Sequence, residues 1–187
     1  MSNQKIRFAT TADAAELVQI YAPYVTDTGV TFEYEVPSVE EFARRIEEFG
    51  SKYPYLVCQR EGELIGYAYA HEFRTRAAFG WDAEVSVYVR RDCIGQGIGS
   101  ALYRPLLEMV KMQGVKTAYA AISLPNEASV AFHEAWGFRF VGKFERTGFK
   151  RGVWHDLVWY ELVFGEREGE PAPVRAIGEI DVQSLIN

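Results

Sequence analysis

Hydrophobic and polar positions alternate most regularly between Asp82 and Val89. Asp82, Glu84, Ser86 and Tyr88 fall on one face of an extended segment and Ala83, Val85, Val87 and Val89 on the other. Further strands are expected at Ile6–Ala9, Tyr55–Gln59, Leu64–Phe73, Val115–Ile122, Phe138–Phe144 and Trp154–Phe164, with Glu61-Gly62 as a hairpin turn. Elsewhere the spacing is helical. Thr10 or Thr11 can cap a helix that turns Ala14, Leu17, Val18 and Tyr21 inward. Ser38 and Glu41 form a capping box ahead of Phe42, Ile46 and Phe49. Leu102, Leu106, Met109 and Val110 mark the inner face of a helix from Ala101, in which Pro105 is expected to cause a kink or break a turn. Asn126 caps a last helix and Gly137 stops it, with Phe132 and Trp136 as its expected buried stripe.

Beyond Glu166 the pattern gives way to a charged stretch containing Glu170-Pro171-Ala172-Pro173. Residues 1–165 therefore read as one domain and 166–187 as a tail, whose apolar positions between Ile177 and Ile186 are candidates for docking on a partner subunit. A chain of 187 residues, 48% hydrophobic, can fill a single substantial core. The net charge of −6 argues against a nucleic-acid partner, which requires clustered Lys and Arg. No apolar run approaches the about 20 residues that span a bilayer, and no signal-peptide pattern precedes the first strand, so no membrane partner and a cytoplasmic location are expected. Cys58 and Cys93 are too few for a disulfide framework and lack metal-ligand spacing, so no metal is expected.

The strand ending at Val89 runs into Ile94-Gly95-Gln96-Gly97-Ile98-Gly99-Ser100, and a helix follows. Glycines permit a tight turn, and the unpaired N–H groups of a helix start attract an anion, so this junction is a candidate phosphate cradle. It is neither a Rossmann fingerprint, which needs a longer glycine spacing and a later acidic residue, nor a Walker loop, which needs Gly-Lys-Ser/Thr.

The stretch resembles the acetyl-CoA-binding motif of the GNAT superfamily of N-acetyltransferases, Q/R-x-x-G-x-G/A. Gly97 and Gly99 match its small residues, while Ile94 stands where the family usually carries Gln or Arg. That departure leaves the pyrophosphate to backbone amides. The segment from Asn126 to Phe138 resembles the family's second pattern, N-x-x-A/S-x-x-x-Y/H-x-x-x-G-F, in which the Asn also touches the cofactor. The segments Glu72–Phe79, Trp81–Glu84, Leu124–Asn126 and Phe149–Asp156 narrow the resemblance to the phosphinothricin and methionine sulfoximine/sulfone N-acetyltransferase branch, over roughly residues 5–164.

The resemblance implies an α/β GNAT fold, a mixed and mostly antiparallel splayed sheet flanked by helices. It also implies acetyl-CoA as co-substrate, a small amine as acceptor and a homodimer. The expected cofactor contacts are Val87, Tyr88, Val89, Ile94, Gly95, Gln96, Gly97, Ile98, Gly99, Ser100 and Asn126. Amides near Val87 and Val89 would stabilise the developing oxyanion.

An α-amine is mostly protonated at neutral pH and must lose a proton before it attacks a thioester. Glu84, about a strand's length before the cradle, is placed to take that proton, and it matches the branch's proposed catalytic glutamate. His133 stands where many GNAT enzymes carry a proton-donating Tyr, and is the second catalytic candidate. His71 and His155 read as structural. Arg74 and Arg76, two apart on an expected strand, would project together as a fork for carboxylate, sulfonyl or phosphinyl oxygens. Phe32 and Glu33, in a loop that often shapes the acceptor pocket, and Ser86 complete the substrate-binding set. The alternatives are acetylation of a peptide or protein N-terminus, and a non-catalytic acyl-CoA sensor.

Overall fold

The computed structural model describes residues 4–186. Seven strands form one sheet: β1 (Gln4–Phe8), β2 (Tyr55–Arg60), β3 (Glu63–Glu72), β4 (Asp82–Val89), β5 (Thr117–Ser123), β6 (Arg139–Lys150) and β7 (Val153–Val163), in the order β1-β2-β3-β4-β5-β7-β6. Every neighbouring pair is antiparallel except β4 and β5. Helices α1 (Ala14–Asp27) and α2 (Val39–Gly50) cover one face of the β1–β4 half. Helix α3 (Ile98–Met112) packs on the other face, and α4 (Glu127–Ala135) joins β5 to β6 on that same side.

The alternation along β4 carries through to the packing. Ala83 and Val85 are buried beneath α3, while Glu84 and Ser86 on the opposite face are half-buried. The face under α1 and α2 is an aromatic layer in which Tyr67 stacks on Tyr88 at 5.3 Å and Tyr55 on Tyr69 at 4.9 Å between ring centroids. Burying side chains of this size is the main source of stability, about 1.5–3 kcal/mol for each large apolar residue fully removed from water.

The helix starts follow local chemistry. Ser38 accepts the Glu41 N–H, and Asn126 Oδ1 accepts that of Ser129 at 3.2 Å. Several sequence expectations change. Helix α3 begins at Ile98 rather than Ala101, and it passes through Pro105 without a break. The Pro105 ring is itself buried with Leu102 and Leu106, so packing outweighs the one hydrogen bond that proline cannot make. In α4 the buried residue is His133, 5% exposed, while Phe132 and Trp136 are half-buried at its edge. Strand β3 ends at Glu72, so Arg74 and Arg76 lie in an irregular loop and not on a strand.

The tail lies along its own chain. Gln113, 1% exposed, donates its amide to Lys52 O at 2.6 Å and Arg175 O at 2.7 Å. Trp81 Nε1 donates to Ala172 O at 2.8 Å, and Val182 is buried in the core under α3. The apolar positions read as a docking surface for another subunit are thus seated on the domain that precedes them.

Candidate active site

Strands β4 and β5 pair only over Asp82–Glu84 and Thr117–Tyr119, and then part. Arg90 N–H reaches Ile65 O at 2.9 Å, so the amides of Tyr88, Ser86 and Glu84 turn to β3. Those of Ala83 and Val85 face β5 and belong to the β4–β5 ladder, which ends with the pairing of Glu84 and Tyr119, whereas those of Val87 and Val89 face the gap. Tyr24 donates its phenol to Val89 O at 2.5 Å and closes the top of this edge.

At the mouth of the gap lies the glycine turn. Gly95 and Gly97 both have φ of 79°, in the left-handed region that glycine enters without strain. Gly97 is the N-cap of α3, and its carbonyl accepts the N–H of Ala101 at 3.0 Å. The N–H groups of Ile98, Gly99 and Ser100 have no partner inside the helix and point out of its start. A cleft of about 480 Å³ runs from this turn down the gap, lined by Val87, Tyr88, Val89, Ile94, Gly95, Gly97, Ile98, Gly99, Ser100 and Asn126. These are the expected cofactor residues with one exception. Gln96 is not part of the lining: its side chain accepts from Arg60 and donates to Asp92 O, which holds the loop. Tyr24, Val30, Cys93, Ala128, Ser129 and Phe132 complete the lining. No Lys or Arg is among these residues, so an anion bound here would rest on amides and the helix dipole.

The cleft continues into a small cavity of about 60 Å³ between the splayed strands, reached by Ser86, Ser123, Asn126 and His133. Ser123 Oγ is buried without a hydrogen-bond partner among the described residues, a polar group left for whatever enters. His133 is fully engaged. Its Nδ1 faces the Ser129 carbonyl at 2.8 Å, which can only accept, so Nδ1 carries a proton and Nε2 accepts from the Tyr103 hydroxyl at 2.8 Å. Burial lowers the His133 pKa, against the opposing pull of the Ser129 carbonyl, and so favours the neutral ring.

Glu84 sits where β4 and β5 begin to part, its side chain 22% exposed. Burial raises its pKa, opposed by His71 and Arg74. His71 is its cross-strand partner on β3, with Nε2 at 4.0 Å from Oε1. On the other side Glu84 is in register with Tyr119 of β5. Arg74 is held over the rings of Phe73 (4.8 Å) and Trp159 (5.9 Å), and Phe73 in turn stacks on Tyr119 at 4.3 Å. Arg76 stands exposed ahead of a short 3-10 turn, Ala77–Phe79. Neither arginine has an ion-pair partner among the described residues.

The loop between α1 and α2 folds over this region and is pinned from three sides. Tyr21 shares a hydrogen bond with Thr31 at 2.6 Å, Lys150 donates to Thr31 O at 2.7 Å, and Arg45 pairs with Glu33 at 2.7 Å. The Glu33 carboxylate is therefore spent on Arg45. The Phe32 ring lies so close over Gly148 that no Cβ could be accommodated there, and it tilts against His155 at 6.2 Å.

Sequence reading missed His71, Tyr119, Trp159, Lys150, Tyr103 and Ser123. The pairing of His71 with Glu84 needs the β3–β4 register, and that depends on an irregular loop whose path has no periodic signal. The others come from helix α3 and from strands far apart in the chain.

A mixed sheet split between two parallel strands, with the open amides of a helix start at the split, is the architecture of the acyl-CoA N-acyltransferases. The profile of the acetyltransferase (GNAT) domain matches residues 6–159. The phosphinothricin N-acetyltransferase of Streptomyces viridochromogenes is 38% identical over 94% of this chain and 96% of its own. The L-methionine sulfoximine/L-methionine sulfone acetyltransferase of Pseudomonas paraeruginosa is 35% identical over 84% of this chain and 92% of its own. The crystal structure of a phosphinothricin acetyltransferase from Sinorhizobium meliloti, in complex with acetyl-CoA, superposes with a TM-score of 0.86 at 35% identity, covering 92% of this chain and 94% of that one. This chain belongs to the GNAT acetyltransferases and is an acetyltransferase with their mixed α/β fold.

Proposed function

We propose that this protein transfers acetyl from acetyl-CoA to the α-amine of a small amino acid bearing a second oxygen-rich group, of the phosphinothricin or methionine sulfoximine/sulfone kind. The observation that carries this reading is Glu84, a half-buried carboxylate where β4 and β5 part, two residues before Ser86 of the small cavity and with Arg74 beside it. The cleft suits the co-substrate: open amides at the start of α3 for a diphosphate, a mainly apolar channel for the arm, and strand amides at its end. When bound, acetyl-CoA supplies the activated acyl group.

In this reading Glu84 accepts the ammonium proton, and its burial moves its basicity toward that of the amine. The Val87 and Val89 amides, open on the β4 edge beyond its pairing with β5, face the place where negative charge would develop. Arg74, stacked on Phe73 and Trp159, offers its guanidinium to the acceptor's carboxylate or phosphinyl oxygens. Arg76, exposed two residues further along the loop, offers a second guanidinium for such oxygens. Ser86 lines the cavity, and Phe32 packs on the acceptor side chain. His133, neutral and bonded at both nitrogens, takes a positioning role in place of the acid role expected of it: it holds α4, and with it Asn126 and Ser129, against Tyr103. A thiolate is a good enough leaving group to need little help.

The protein is proposed to work in the cytoplasm as a homodimer. Edge strand β6 exposes Phe140, Val141 and Phe144, each more than half accessible, which a second copy would cover. The described residues contain no helix long and apolar enough to cross a membrane and no grouping that could hold a metal ion.

CoA release measured across amino acids, their sulfone, sulfoximine and phosphinyl analogues, their amides and short peptides tests the reading. The expected result is turnover with free acids and a several-fold loss on amidation, a loss that shrinks in Arg74→Lys, where charge survives but the planar fork does not. Equal use of acid and amide points to a peptide N-terminus instead. Absence of turnover with every acceptor points to an acyl-CoA sensor.

A further inference from the structure

His71 was read from sequence as structural, yet three features of its placement are those of a proton carrier. First, it is locked beside Glu84. The two residues are register partners on β3 and β4, so their side chains leave the same face of the sheet side by side. Second, its tautomer is set. Nδ1 lies 2.9 Å from Glu72 O, and a carbonyl only accepts, so Nδ1 carries the hydrogen and Nε2 presents a lone pair toward Glu84 Oε1 at 4.0 Å. Two acceptors facing each other across that distance leave room for a proton to pass, directly after a small rotation or through one water. Third, the ring is clamped on one side and open on another. It stacks on Phe49 of α2 at 5.1 Å and on Tyr69 at 5.8 Å, and its side chain remains 25% exposed.

We propose that His71 is the second station of a proton relay, accepting from Glu84 the proton that Glu84 takes from the acceptor's ammonium group and releasing it to solvent. The proposal rests on the acetyl-transfer reading above. The balance is simple. One N–H bond of the ammonium breaks as an O–H bond forms on Glu84, and that O–H bond breaks as an N–H bond forms at Nε2. The imidazolium then gives one proton to water, and the Nδ1 hydrogen never leaves Glu72 O. Without the relay, the carboxyl group must lose its proton before the next turnover from a half-buried position. Imidazole is the side chain that takes up and gives back a proton near neutrality.

The groups facing the pair are few. Glu84 comes from β4, Tyr119 lies beside it on β5, Tyr69 lies along β3, and Arg74 comes from the following loop. Helix α2 presents the phenyl ring of Phe49, while its Arg45 is paired with Glu33.

The test compares wild type with His71→Gln, which places an amide near Nε2 but cannot ionise, and His71→Phe, which keeps the stack but has no nitrogen. The kcat and both KM values are followed from about pH 6 to pH 10, alongside thermal midpoints. In both variants kcat is expected to fall roughly tenfold to a hundredfold at neutral pH with the acetyl-CoA KM unchanged. The deficit should close toward high pH, where hydroxide strips Glu84 directly, and added imidazole should restore part of the rate. If both variants match the wild-type profile, or if both lose the same factor at every pH with no rescue by imidazole, His71 is structural and the relay is overturned. A wild type with no acetyl transfer would overturn the reading of function before any variant is compared.

Discussion

At the scale of single residues, Glu84 combines two properties that a structural residue has no reason to combine. It lies half-buried between strands, and among the described residues no Lys or Arg stands within ion-pair distance of it, its neighbour at 4.0 Å being the His71 ring. Burial raises its pKa, so the folded state binds its proton more tightly than the unfolded chain does. A carboxyl raised in this way adds stability below its unfolded value of about 4.3, and that contribution is lost as pH rises through the folded value. At neutral pH the carboxylate is therefore a local burden on the fold. Glu84→Gln is expected to lower turnover by roughly 10²–10⁴-fold with the acetyl-CoA KM unchanged. The same variant should show a higher thermal midpoint than wild type at neutral pH, and that gain should vanish in acid. Steady-state kinetics and thermal melts at two pH values check both halves. Unchanged turnover would return Glu84 to a packing role.

At the scale of elements, the glycine turn and α3 act as one device. Nothing lies within 4 Å of where a Cβ on Gly97 would stand, so the demand for glycine there is conformational: φ is +79°. A β-branched residue resists that region, and forcing it out turns the first amides of α3 away from the cleft. Gly97→Val is accordingly expected to raise the acetyl-CoA KM at least about tenfold, or 1.4 kcal/mol, with a smaller effect on the acceptor KM. Gly99 differs, because a Cβ there would meet the Phe132 ring at 3.3 Å, and its demand is for space. Ile94, 59% exposed at the mouth of the cleft, is the natural control. Ile94→Arg should bind the co-substrate equally or more tightly, most clearly at low salt. Isothermal titration of acetyl-CoA against the folded variants checks the pair, and unaltered binding in Gly97→Val would overturn the cradle.

Much of these elements was legible from sequence. The alternation of β4, the Ser38 and Asn126 caps and the order of glycines all follow from local chemistry, and all are present. Local chemistry failed where residues leave regular structure. Arg74 and Arg76 looked paired because a strand was extended through them. Phe73 instead turns out of β3 to stack on Tyr119, and it carries Arg74 over Trp159, while Arg76 lies exposed two residues further along the loop. In α4 helical spacing favoured Phe132 and Trp136 as the buried stripe, but the buried Tyr103 hydroxyl on α3 requires a polar partner and receives His133.

At the scale of the whole molecule, the tail closes the open end of the fold between α3 and the β2 side. Arg175 N–H donates to Gln113 O at 2.9 Å and Ile177 N–H to Lys52 O at 2.9 Å, while Val174, Ile177, Ile180 and Leu185 pack on the core. Deleting residues 174–187 leaves the buried Gln113 amide short of a partner and strips apolar cover from α3. The thermal midpoint is expected to fall by roughly 5–10 °C, with kcat in the folded fraction within about twofold of wild type, since the described residues of this segment make their contacts with Lys52, Met112, Gln113 and the core under α3. Differential scanning calorimetry with parallel kinetics checks this, and an unchanged midpoint would show the tail to be dispensable.

The sequence alone determined what depends on neighbours along the chain. It specified a strand with a polar and an apolar face, a left-handed glycine turn opening a helix, two capped helices, and the placement of Glu84 a short run before the cradle. Tertiary structure decided what depends on which strands lie side by side. The parting of β4 from β5, the facing of His71 and Glu84 across the β3–β4 register, the diversion of Glu33 to Arg45 and the burial of His133 against Tyr103 join residues far apart in the chain. No periodicity records such contacts, because they are selected by the packing and hydrogen bonding of the assembled sheet, where a side chain's partners come from other elements.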